Sequence, residues 1–147
     1  SETVFVGDVD DAARKLVLVT WECLMKSIDI IRPGQLLNAI GLVVETHARQ
    51  NGFSVVREFT GHGIGEDFHM TPYVVHFYEP KNTTVIEEGM TFTVEPMLNA
   101  GKRHVKLLGD GWTVVTRDRS LSAQWEHTCL ITADGFEVLT LGSDERQ

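Results

Sequence analysis

Three residues of this chain sit where their neighbours do not explain them: His62 in "TGHGIGEDFHMTP", Glu95 in "MTFTVEPM" and Glu126 in "AQWEHTCLI". His62 is bracketed by Gly61 and Gly63, with Gly65 just beyond. Glycine adds no packing surface and costs backbone entropy, so such a frame presents a histidine to something rather than packing it. One reading of the frame is that the backbone must pass close to a metal centre. Glu95 stands in an otherwise apolar or β-branched run, just before Pro96, which ends or edges a strand. An ionised carboxylate there is costly unless it is paired or bound to a cation. Around Glu126, period-two alternation puts Gln124, Glu126, Thr128 and Leu130 on one face and Trp125, His127, Cys129 and Ile131 on the other. Glu126 and His127 therefore do not serve one site.

Singly, each of these is an ordinary residue: a salt-bridged glutamate or a satisfied polar histidine. Together, His62, Glu95 and Glu126 suit a hard or borderline divalent metal. The chain has no HExxH, paired CxxC or EF-hand loop, so the fold must gather these donors from separate strands. Other chemistries have less support. "GHGIG" and "GDGW" lack a serine elbow, and neither Cys23 nor Cys129 is framed by features that lower a thiol pKa. "GHGIG" also departs from GxGxxG and follows no βα unit, which argues against a nucleotide site.

The elements that must position these residues divide the chain in two. Asp8, Asp10 and Asp11 cap a helix whose apolar stripe runs Leu16, Val17, Thr20, Trp21, Leu24, Ile28 and Ile31 before Pro33-Gly34. A second helix follows Leu36, Leu37, Ile40, Val43, Val44 and His47 to Asn51-Gly52. Beyond Gly52, short valine-, threonine- and aromatic-rich segments predict strands over 53–59, 91–97, 112–116, 123–131 and 136–140. Turn signals fall at Glu88-Gly89, Asp110-Gly111 and Asp134-Gly135. Two helices followed by about five strands predict an α+β domain whose antiparallel sheet is covered by the helices on one face.

The chain's 147 residues, 42% hydrophobic and 23% charged, suit one soluble domain with a single core. A net charge of -8 argues against a nucleic-acid groove or an anionic membrane surface, and no run is long enough for a membrane span. Two distant cysteines fit free thiols in a reducing compartment. Ser1 opens the chain with no initiator methionine or leader, which reads as a trimmed or partial polypeptide.

The blocks "GHGIGEDFHMTP", "EEGMTFTVEPM", "DGWTVVTRDRSLSAQWEHT" and "ITADGFEVLT", in that order, resemble the methionine aminopeptidases. The short interval between Glu95 and Glu126 resembles their type 1 class. This resemblance implies a pita-bread fold, with residues 1–147 as the C-terminal portion of a single catalytic domain and the N-terminal half lying outside this sequence. It implies two divalent ions, Co, Mn, Fe or Zn, which activate a water to remove the N-terminal methionine of nascent peptides. His62 and Glu95 would be metal ligands, Glu126 a carboxylate bridging both ions, and Glu95 the group handling the proton. His69 would donate a hydrogen bond to the scissile peptide. Phe68 and Trp112 would line the methionine pocket, with His76 near the substrate cleft. Two further ligands, both aspartates, would lie upstream of Ser1, so this chain taken alone would bind one ion weakly and not hydrolyse peptides. His47, His104 and His127 read as polar helix, loop and strand residues. The resemblance also implies a cytoplasmic or organellar enzyme that is monomeric when complete, with the ribosome as a partner. A pita-bread binding module without activity, or a relative cleaving at Xaa-Pro such as prolidase, are the alternatives.

Overall fold

The computed structural model describes residues 1–142. Helix α1 spans Asp11–Asp29, and the Asp10 side chain caps it by accepting the Ala13 N–H at 2.7 Å. Its inner face buries Leu16, Val17, Val19, Thr20, Cys23, Leu24, Ser27 and Ile28, while Trp21, expected on that stripe, lies at its edge, 36% exposed. Helix α2 spans Asn38–Gln50 and ends at Asn51, as the Asn51-Gly52 pair predicts. His47 and Glu22 join the helices through a 2.6 Å contact, in keeping with a polar helix histidine.

After the helices come ten short strands: β1 Ser54–Val55, β2 Gly61–Gly63, β3 Met70–Val74, β4 Thr91–Val94, β5 Met97–Asn99, β6 Val105–Leu107, β7 Val114–Thr116, β8 Ser122–Gln124, β9 His127–Ile131 and β10 Phe136–Val138. They form a three-stranded sheet in the order β1-β5-β8, a five-stranded sheet in the order β10-β9-β4-β2-β3, and the hairpin β6-β7. All the pairings are antiparallel.

The α+β expectation holds, but the strand count does not, for a physical reason. The two strands predicted over 91–97 and 123–131 are each broken in the middle. One breaks at Glu95-Pro96 and the other at Trp125-Glu126, and at both points the chain passes between the five-stranded and three-stranded sheets. Strands β2, β3 and β6 escaped the pattern because glycine, proline and lysine occupy them.

One core lies under the five-stranded sheet, where Phe92, Val94, Cys129 and Ile131 meet Leu24, Ile28, Ile31, Leu37 and Ile40. A second lies under the three-stranded sheet, where Val55, Leu98 and Ala123 meet Leu16, Val17, Cys23, Val44 and Ala48. A fully buried side chain such as Phe92 contributes about 1.5–3 kcal/mol through area removed from water. Cys23 and Cys129 are buried free thiols, which burial pushes up to about 12, so neither is a nucleophile at neutral pH.

Candidate metal and catalytic site

The two strand breaks create the site. β4 pairs Val94 with His127, and β5 pairs Met97 with Gln124. Both ladders keep one register, so between them Glu95 falls opposite Glu126. Like charges directly opposite across an antiparallel pair destabilise it unless something lies between them to compensate. Burial pushes the Glu95 carboxyl above its usual range and the nearby Glu126 adds to that, opposed chiefly by the hydrogen bond from the Thr93 hydroxyl. Alternation within β9 is as expected: His127, Cys129 and Ile131 are buried, and His127 Nδ1 meets the Thr140 hydroxyl at 3.0 Å.

His62 arrives from β2, which lies beside β4. Its Nε2 is 3.6 Å from Glu95 Oε1, too long for a hydrogen bond. Metal bonds of about 2.1 Å place two ligand atoms on one tetrahedral ion roughly 3.4 Å apart. His62 Nδ1 lies 3.1 Å from the Gly63 carbonyl, which can only accept. The ring hydrogen therefore sits on Nδ1, and Nε2 turns its lone pair toward Glu95, the tautomer a metal-ligating histidine adopts. Thr93, 1% exposed, ties the pair together: its hydroxyl donates to Glu95 Oε1 at 2.8 Å and accepts the His62 N–H at 2.9 Å. Sequence reasoning missed Thr93, although its period-two relation to Glu95 was the available signal.

The glycine frame of His62 has a different cause from the one expected. A Cβ at Gly61 would collide with the Thr93 carbonyl oxygen, and one at Gly63 with that of Thr71. The glycines let the backbones of β4 and β3 close on both sides of His62.

Glu126 is held through its backbone by Ser1: the Glu126 N–H donates to the Ser1 carbonyl at 3.0 Å, and the Ser1 nitrogen donates to the Glu126 carbonyl at 3.0 Å. The Ser1 hydroxyl lies 3.3 Å from Glu126 Oε2. Among the described residues, no three or more His, Cys, Asp and Glu side chains gather closely enough to enclose an ion. The donor chemistry of His62 and Glu95 nonetheless fits a divalent metal, with Glu126 facing the pair from the other strand. The arrangement is one open-sided wall of a site.

His69 and Phe68 are exposed beside this wall. The His69 ring stands 4.2 Å from that of His62, and Phe68 meets it edge-on at 4.6 Å. Trp112, 88% exposed, lies at the tip of the β6-β7 hairpin and lines an apolar cavity of about 500 Å³ with Phe59, Val105, Leu107 and Val114. Phe68 is not part of that cavity's lining. His76, expected beside the substrate cleft, is instead 2% exposed and accepts the Glu95 N–H on its Nε2 at 2.9 Å. A ring so buried has no surface to offer a substrate, and burial lowers its pKa to about 3, which keeps it neutral. His104 lines a separate cavity of about 470 Å³ with Arg49, Arg57, Lys102, Arg103 and Glu45, the last paired with Arg57 at 2.6 Å.

The model of metallopeptidase family M24 matches residues 1–133. A methionine aminopeptidase of Buchnera aphidicola (subsp. Schizaphis graminum) is 47% identical over 146 residues, which are 99% of this chain and 56% of that protein. The crystal structure of methionine aminopeptidase from Rickettsia prowazekii superposes with a TM-score of 0.92 at 47% identity, covering 95% of this chain and 57% of that one. The prolidase of Pyrococcus horikoshii, at 22% identity and a TM-score of 0.74, shares the pita-bread fold alone. The chain thus spans about half the length of the curated Buchnera relative. With a family match across nearly all of its described residues, this chain belongs to metallopeptidase family M24.

Proposed function

We propose that this chain supplies one wall of a methionine aminopeptidase active site, as the C-terminal portion of a single catalytic domain that hydrolyses the bond after an N-terminal methionine. The observation that carries this reading is the placement of Glu95 opposite Glu126 with His62 Nε2 3.6 Å from Glu95 Oε1. The substrate class rests on the names of the relatives that are 47% identical. His62 and Glu95 would hold one of two divalent ions, Co, Mn, Fe or Zn, and Glu126 would be shared between both. When bound, these ions supply the Lewis acidity that hydrolysis needs at neutral pH.

The chain's own residues do the rest. Glu95 takes the proton of the attacking water on a carboxylate oxygen. His69, exposed next to His62, donates a ring N–H to the scissile carbonyl oxygen as negative charge develops there. Phe68 and Trp112 give the methionine side chain its apolar contacts and keep water from it. The ribosome is carried as a second partner by the resemblance to the methionine aminopeptidases. The compartment that goes with this activity is the cytoplasm. No helix among the described residues is long and apolar enough to cross a membrane.

The test joins this chain to the complementary half of the Rickettsia enzyme and measures methionine release from Met-Ala-Ser against cleavage of an Xaa-Pro peptide. Methionine release is expected, with a loss of about 10²–10⁴-fold in E95Q. H69A is expected to lower kcat by about 10²–10³-fold without changing metal content. Loss of metal in H69A would make it a ligand. Preference for Xaa-Pro would favour the prolidase reading, and metal binding without hydrolysis the non-enzymatic module.

A further inference from the structure

We infer that His76 is a positioning residue that sets the Glu95 backbone, and through it the Glu95 carboxylate, by accepting the Glu95 N–H. This rests on the reading of Glu95 as a metal ligand. At Glu95 the chain leaves the five-stranded sheet, and the next residue, Pro96, has no N–H to give. A buried amide at such a break needs an acceptor, and His76 Nε2 provides it at 2.9 Å. With Nε2 accepting, the ring hydrogen of the neutral imidazole sits on Nδ1.

The backbone on either side of His76 is held as well. The segment that carries it, Val75 to Phe77, lies directly against α2 at Gly41. A Cβ at Gly41 would collide with the Phe77 carbonyl oxygen and come within 2.9 Å of that of Val75. The Arg57 guanidinium stacks over the Phe77 ring at 4.6 Å. Helix α2, the His76 segment and Glu95 thus form one rigid chain of contacts ending at the carboxylate. Thr93 orients that carboxylate from its side-chain end and His76 from its backbone end.

The experiment uses Co(II) alone as probe on this chain joined to the complementary half of the Rickettsia enzyme, reading affinity by calorimetry and ligand geometry from the visible d–d absorption. In the unsubstituted chain, a through-hydrogen-bond nitrogen–nitrogen NMR coupling is expected between the Glu95 amide and His76 Nε2; its absence overturns the inference. H76L should weaken Co(II) binding about 10–100-fold and change the absorption, whereas H76Q, whose amide oxygen can accept the same N–H, should recover most of both. H76L with unchanged affinity and spectrum overturns the inference, whatever its melting temperature. If H76L does not fold, H76Q decides: a near-native spectrum supports the inference, and a folded H76Q without one overturns it. E95Q separates the two readings: if it leaves Co(II) binding intact, the ligand reading itself has failed; if it abolishes binding while H76L leaves affinity and spectrum unchanged, only the positioning role has.

Discussion

Thr93 is a small residue with a large share of the site. Its hydroxyl serves two partners at once, donating to the Glu95 carboxylate and accepting from the His62 amide, while the residue is 1% exposed. Replacing it with valine keeps the shape and removes both bonds, leaving a buried carboxylate with one fewer donor. Outer partners of metal ligands typically tune affinity by about 10–100-fold, so T93V is expected to weaken Mn(II) or Co(II) binding by that factor in a titration of the folded chain. An unchanged dissociation constant would mean that Glu95 needs no such support. At this scale the sequence was legible where a residue broke its local pattern. Glu95 and Glu126 stood out as charges in apolar strands. Thr93 and His76 did not, because a threonine in a strand and a lone histidine between valine and phenylalanine each look ordinary until their partners are known. The glycines around His62 stood out for the wrong reason, since what they accommodate is backbone from strands that only the fold brings near.

Among the elements, α2 and the loop after β5 make claims that oppose simpler expectations. Glycine inside a helix ordinarily costs about 1 kcal/mol relative to alanine. Gly41 in α2 reverses that sign, because its missing Cβ is what lets the helix lie against the Val75 to Phe77 backbone. G41A is therefore expected to destabilise the chain by about 1–3 kcal/mol in urea unfolding, and a stabilised variant would refute the close approach. Asp118 holds the loop after β5 against the β7-β8 turn. It accepts the Lys102 N–H at 2.6 Å and the Ser120 hydroxyl at 2.7 Å. These bonds favour its ionised form and hold its pKa down to about 2. A carboxylate depressed in the folded state contributes stability fully above its unfolded value of about 3.9, and that contribution disappears as pH falls through the folded value. D118N should thus differ from the parent at pH 6 and converge on it as pH falls from about 4 to 2. The helices were readable in advance because caps and a three-to-four stripe survive burial. The strands over 91–97 and 123–131 were readable only as continuous runs, since nothing local announces that a strand changes sheets at Glu95 or Glu126.

At the scale of the molecule, both helices cover one side of the sheets, Glu95 and Glu126 lie at the breaks where the chain changes sheets, and His62 lies in β2 beside them. The Glu126 side chain shares a face with Gln124, Thr128 and Leu130, all only half-buried. Val4, Val6 and Leu121 are 68%, 88% and 52% exposed around an apolar cleft at the start of α1. The family was legible from blocks of sequence, and with it came the expectation of an open-sided set of candidate donors; the geometry adds how Glu95 and His62 face each other. That openness sets the final expectation. On the proposed reading, His62, Glu95 and Glu126 would leave much of an ion's coordination to water, and the Glu95–Glu126 repulsion would be relieved only in part. Calorimetric titration of the 147-residue chain with Co(II) should therefore find one weakly bound ion. Joined to the complementary half of the Rickettsia enzyme, the same residues should bind two ions, the first at least tenfold more tightly, as expected when missing ligands and their supporting contacts are restored. Two tightly bound ions on the 147-residue chain would show that His62, Glu95 and Glu126 need no second wall, and would move the missing ligands onto residues already in this sequence.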